Sequence, residues 1–176
     1  AEPASGLIGE LRAKAEPSKP ADGVALERPR VVRGRTWVTR TGVHVDRIAS
    51  AWIIRRFIDP EATFKFVAPK GYAPEPGELR FDMFEADYSH VGDRCTFEIL
   101  IERFELRVPG LRAVADVVHD IDLKESKFGR PETTGVAACI AGLCRDHRDD
   151  DVRLERGSVL FESLLAYYAV KKEERP

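Results

Sequence analysis

The chain has 176 residues, of which 28 are Lys or Arg and 30 are Asp or Glu, giving a formal net charge of -2. That length suits one ordinary domain, and 43% hydrophobic with 33% charged residues is the composition of a globular protein. The charge balance gives no global electrostatic case for nucleic acid as the main partner. No apolar run approaches the roughly 18 residues that a membrane-spanning helix needs.

In chain order, residues 1–34 read as a flexible linker with one short helix, Ser5 to Ala15, lined by Leu7, Ile8 and Leu11. The stretch EPSKPADGVALERPR that follows is too rich in proline and mixed charge to bury a core. The chain begins at Ala1 and its single methionine is Met83, so its start is read as processed or cut, and the segment either as a linker after a preceding domain or as a free, disordered N-terminus. The opening AEPASGLIGE lacks the basic and apolar parts of a signal peptide.

Residues 35–172 read as the folded domain. Arg35 to Thr41 alternates as a strand, and Val45 to Ile58 is an apolar helix stopped at Asp59-Pro60, with Asp46 placed to cap its start. Thr63 to Ala68 and Leu79 to Phe84 are two further strands around a Pro/Gly-rich loop. Four helical stripes follow: Phe97, Leu100, Ile101 and Phe104; Leu111, Val114, Val118 and Ile121; Val136, Ile140, Leu143 and Cys144; Phe161, Leu164, Leu165 and Tyr168. The expected fold is α/β or α+β, a small sheet of about three strands covered by four to five helices.

Cys95, Cys139 and Cys144 show no CxxC spacing, so a disulfide framework and a cysteine-rich zinc knuckle are not expected, and a reducing compartment is. Cys139 and Cys144 fall on the apolar face of their helix. His147 lies in the charge run RDHRDDD and is assigned no role.

Candidate chemistry sits in three segments. His44 and Asp46 stand in GVHVDR at a strand end, where a rigid scaffold positions ligands. His119 and Asp122 are three apart on one helix, so both can reach one cation or each other. On the helical wheel Asp122 belongs to the buried stripe and His119 to its border. Cys95 and Glu98 share a stripe beside a helix core, with His90 just upstream. His44, His90, His119, Glu98 and Asp122 together make a mixed nitrogen and oxygen donor set, with Asp46 and Cys95 behind them. Such a set suits one divalent zinc, manganese or iron ion. Arg47, Arg94 and Lys124 flank these segments and would form a positive rim for a small oxyanion. The plain structural alternative gives these residues only caps, core pairs and solvated charges.

RTWVTRTGVHVDRIASAWIIRRFIDP, DRCTFE and VADVVHDIDLKESKFGRPET resemble the ChrB-type chromate-resistance family, in its C-terminal domain, from about Arg35 to Leu165. The resemblance implies a cytoplasmic bacterial protein linked to chromate or oxidative stress and to regulation of chromate efflux. It also implies DNA contact only through a preceding domain, and it adds weight to His44, Asp46, Cys95, Glu98, His119 and Asp122. Three functions stay open: a metal-binding sensory or effector domain recognising chromate or a related signal, a metal-dependent hydrolytic or redox enzyme, and an interaction module without chemistry. No P-loop or GxGxxG setting supports nucleotide chemistry. Monomer and homodimer both remain open.

Overall fold

The computed structural model describes residues 32–171, so the linker and short helix expected over residues 1–31 lie outside the described residues. Three parallel strands form the sheet: β1 (Thr36–Arg40), β2 (Thr63–Val67) and β3 (Leu79–Arg80). Their order is β2-β1-β3, with Trp37 opposite both Phe64 and Leu79. Five α-helices accompany them: α1 (Val45–Ile53), α2 (Thr96–Arg103), α3 (Leu111–Asp122), α4 (Thr133–Asp146) and α5 (Asp150–Lys171). The expected α/β arrangement of a small sheet and helices holds. None of the described helices is long and apolar enough to cross a membrane.

The central strand carries Trp37, Val38 and Thr39 fully out of water, which is why this segment is β-branched and aromatic on both faces. α1 is the hub of the helical side, packing on α5, α2 and α3. Eight of its nine residues are buried, so its apolar composition is that of an enclosed helix. The helix expected to run to Ile58 changes instead into a π turn, Ile54–Ile58, closed by Asp59 N–H donating to the Ile54 carbonyl at 2.7 Å.

Asp59 then turns inward and is fully buried. Its carboxylate accepts from Gly34 N at 2.7 Å, Arg35 N at 2.9 Å and Trp37 Nε1 at 3.1 Å, locking the approach to β1 onto the end of the α1 segment. Burial by itself would raise this carboxyl, but the bonds from Arg35, Gly34 and Trp37 outweigh it and hold it below its ordinary value.

Two close approaches set the helix layer. Gly110 begins α3 at φ 81, and a Cβ there would stand 2.8 Å from Ala169 N. Gly157 on α5 lies over Ile48 of α1, where a Cβ would stand 2.3 Å from Ile48 Cγ2. α4 is attached by a narrow seam, with Val136 and Ile140 buried. Cys144 is therefore only half-buried, and Cys139 lies outside the seam and is exposed, against the core placement expected for both.

Two stability predictions follow from these contacts. Asp59→Asn should cost about 3 kcal/mol, because buried donors lose a charged acceptor. With its folded pKa depressed, Asp59 contributes stability above the ordinary carboxylate value, lost as pH falls through the folded value. Urea unfolding at about pH 7 and about pH 3 should therefore show a smaller acid loss in the variant than in the wild type. Gly157→Ala would gain about 1 kcal/mol in an open helix. Here it should lose about 1–3 kcal/mol by overpacking, and an Ile48→Ala background should remove the loss, measured as a double-mutant cycle.

Candidate metal centre

The entry to α1 is held from a distance. The Asp150 carboxylate at the start of α5 accepts from Gly42 N at 2.9 Å and Val43 N at 2.8 Å, and Arg153 donates to the Val43 carbonyl at 3.3 Å. His44 is the N-cap of α1 but makes no side-chain cap bond, and Asp46 lies in the first turn. Asp46 does not cap its own helix as its sequence position suggests. It caps α2: Oδ1 accepts from Phe97 N at 2.8 Å and Oδ2 from Thr96 N at 3.0 Å. Glu98 completes this helix end by accepting from Cys95 N at 3.1 Å. A helix N-terminus offers unpaired N–H groups and a positive dipole end, so carboxylates are at home there.

The loop after β3 brings His90 to the same point. Its Nε2 lies 3.1 Å from Asp46 Oδ2, 3.3 Å from Asp122 Oδ2 and 3.7 Å from Asp82 Oδ1. Hydrogen bonds to Asp122 and Asp46 push the His90 imidazole up to about 10, so a positive charge stands among three carboxylates at neutral pH. Burial pushes the Asp46 carboxyl up, the His90 bond opposes this, and the charges of Asp82 and Asp122 add to the rise. Asp82 sits at φ 46, accepts from Arg47 Nε at 2.8 Å and from Thr96 Oγ1 at 3.3 Å. Asp46, His90 and Asp122 each offer one ligand atom, all within 4.8 Å of one another.

His44 borders this group from the α1 end. Loss of solvent lowers its imidazole against the pull of Asp122, and Arg153 and Arg47 lower it further, leaving a neutral ring. Neutral imidazole is the form that ligates metals.

His119 and Glu98 form a second pair. His119 is fully buried, with Nδ1 2.7 Å from Glu98 Oε2, Nε2 3.4 Å from Glu125 Oε2 and its ring edge-on to Phe128. Both ring nitrogens thus face carboxylates, one from Glu98 and one from Glu125. The helical wheel placed Asp122 on the buried stripe and His119 at its border, and the structure reverses them. Asp122 is the last residue of α3 and its side chain is 22% exposed at the rim, whereas His119, one turn earlier, faces α2. Cys95 is fully buried at the N-cap of α2, and burial pushes its thiol far up, so it is held protonated beside these carboxylates.

The flanking cations are each engaged or outside. Arg47 serves Asp82 and the Gly42 carbonyl, Arg94 pairs with Glu102, and Lys124 is exposed at φ 55. Asp82 escaped notice in the sequence because nothing in FDMF distinguishes it from a strand-end aspartate. Its one signal is its place directly after a strand, where site residues collect.

The donor set is two carboxylates and one imidazole, with a third carboxylate and a neutral histidine beside it. Oxygen and nitrogen donors without thiolate suit zinc, manganese or iron. Elements α1, α3 and the β3–α2 loop each supply one donor, so the centre exists only in the folded chain.

The chain belongs to the ChrB family of chromate-resistance proteins: the family model "ChrB, C-terminal domain" matches residues 37–168. Protein ChrB of Cupriavidus metallidurans is 34% identical over 166 residues, covering 94% of this chain and 50% of that protein. The chain therefore spans half the length of that curated relative. No solved structure matches it.

Removing the Asp46 carboxylate should cost more than any exposed pair. Asp46→Ala leaves two buried helix amides without an acceptor and should lower stability by about 2–4 kcal/mol. Glu102→Ala breaks only the exposed pair with Arg94 and should cost about 0–1 kcal/mol. Thermal unfolding of the two variants side by side checks the difference.

Proposed function

We propose that this domain is the metal-holding sensory or effector part of a chromate-resistance protein, in which Asp46, His90 and Asp122 hold one divalent transition-metal ion. The carrying observation is the meeting of their ligand atoms within 4.8 Å from three distant segments. Without an ion these carboxylates surround a protonated His90; a divalent ion would answer the same electrostatic demand by displacing that proton, so that metal binding is accompanied by its release. When bound, the ion would supply a Lewis-acidic centre that a small oxyanion such as chromate can approach, with Arg47, held on Asp82, as the flanking cation beside it. Free chromate alone has no reason to enter a ring of three carboxylates.

Regulation follows by relay. Asp46 holds the α2 amides, so occupancy of the centre acts on α2. DNA contact is assigned to the half of the relative that this chain does not match, in keeping with the balanced charge here. Free, unpaired cysteines favour a reducing cytoplasmic setting.

A second reading, a metal-dependent enzyme, is favoured by the openness of the centre. The His90 side chain is 41% exposed and that of Asp122 22%, and three protein donors leave coordination positions for water or substrate, as in catalytic sites. A sensor leaves chromate intact, so metal-loaded protein mixed with chromate and ascorbate should consume it no faster than free metal does. Accelerated loss of chromate absorbance would favour the enzyme.

Elemental analysis of protein purified without chelators or an affinity-tag metal tests the centre. About one divalent ion per chain is expected, with affinity in His90→Ala and Asp122→Asn falling by more than the roughly 10- to 100-fold that outer partners of a ligand cost. His119→Gln and Cys95→Ser should keep the stoichiometry. Metal lost in Cys95→Ser but retained in His90→Ala would reject the assignment.

A further inference from the structure

Helix α5 is apolar on two opposite sides. Leu154, Phe161, Leu164, Leu165 and Tyr168 face inward and are buried. On the other side Val159, Ser163, Ala166 and Val170 follow at steps of three and four residues, which makes them one stripe of the helix. Val159 is 65% exposed and Val170 60%, with Ser163 and Ala166 exposed between them. The two small side chains leave a shallow depression between the valines, of the kind that receives the ridge of another helix.

Charge is missing from this outer side. Between Gly157 and Val170 the single charged residue is Glu162. Its carboxylate is turned to α1, where it accepts from Trp52 Nε1 at 2.9 Å and from Arg56 Nε at 3.3 Å. In a chain that is 33% charged, a helix with one side in water ordinarily carries its charges there.

The chain itself brings an apolar segment to this place. The described residues begin at Val32, which packs against the core, and two residues on Gly34 N is held by Asp59. Asp59 closes the π turn that also carries Arg56, and Arg56 is paired with Glu162 beside the outer stripe of α5. The chain thus leaves the domain at the end of α1 that meets α5 near the stripe. The stretch between Ala15 and Val32 spans up to about 50 Å when extended, more than the width of a domain of this size. Beyond it lie Leu7, Ile8 and Leu11, the apolar stripe read over Ser5 to Ala15. A helix that short is marginal alone in water and depends on a surface to pack against. The match with the curated relative leaves ten residues of this chain uncovered, so at least 21 of residues 1–31 have a counterpart in that protein.

We propose that the segment Ser5 to Ala15 docks on the outer face of α5, with Leu7, Ile8 and Leu11 against Val159, Ser163, Ala166 and Val170. In a protein as long as the relative, this contact fixes the preceding half on the helix whose first residue, Asp150, holds the Gly42 and Val43 amides at the entry to α1. The contact does not depend on the metal reading of the centre.

Hydrogen exchange on the full chain tests the docking, with molecular mass read by light scattering at the same concentration. Amides of residues 5–15 should exchange about tenfold or more slower than in a peptide of those residues alone, and the protein should be a monomer. Leu7→Glu/Leu11→Glu should remove the protection, and so should Val159→Glu/Ala166→Glu. Glutamate keeps helix propensity, and Val159 and Ala166 are exposed, so the α5 variant should retain a cooperative unfolding transition. Should it fail to fold, Val170→Glu decides in its place. Unprotected amides in the wild type overturn the proposal. Protection that survives either double variant overturns it as well, because the segment then rests elsewhere. Protection found only in a dimer also overturns it and assigns the face to a second copy of the chain.

Discussion

The carboxylate of Asp46 is the contact on which the functional end of this domain depends. It is buried at the start of α1, yet it holds the first amides of α2 and faces His90 from the β3–α2 loop. A buried carboxylate is tolerated only where donors surround it, and here the donors come from two separate segments. One side chain therefore orients a helix and places a loop. Without it two of the first amides of α2 lose their acceptor and His90 loses the nearest of its carboxylate partners.

The same device recurs through the fold. Asp59 holds the amides before β1, Asp87 holds Arg80 N, Asp120 holds Phe128 N and Gly129 N, and Asp150 holds Gly42 N and Val43 N. Each is a carboxylate from one element accepting from backbone N–H groups of a different stretch of chain. Bonds of this kind to a charged acceptor are about twice as strong as neutral ones. In a three-stranded sheet with long connections such clasps act beside apolar loop contacts such as Tyr88 on Trp37. They also explain why so acidic a set of loops is ordered rather than solvated.

Two polar clusters result, one on each side of the first turn of α2. The cluster of Asp46, Asp82, His90 and Asp122 is open to solvent on one side and rich in negative charge. The pair of Glu98 and His119 is sealed under Phe128. On the proposed reading the open cluster binds the ion and the sealed pair keeps α2 against α3, so that donors on α1 and α3 stay within reach of one another.

Much of the architecture was legible in the sequence. β-branched and aromatic runs at Thr36–Arg40 and Thr63–Val67 and apolar stripes on α2, α3 and α5 marked elements directly, since strands favour such side chains and burial of one helix face imposes its period on the chain. The segments bearing His44, His90, Glu98, His119 and Asp122 were legible too, through residue type and the family resemblance. Their grouping was not. A helical wheel ranks His119 and Asp122 by angle alone, but α3 ends at Asp122, so the angle that leads inward at His119 leads to the rim one turn later. Asp46 reads as a local cap until the fold brings α2 within reach, and Asp82 has no sequence mark at all. Local periodicity is a property of the chain and its neighbours in sequence, so the sequence by itself determined the elements and the residue types near the site. Which carboxylate meets which imidazole depends on distances between elements far apart in the chain, and only the tertiary structure decided that.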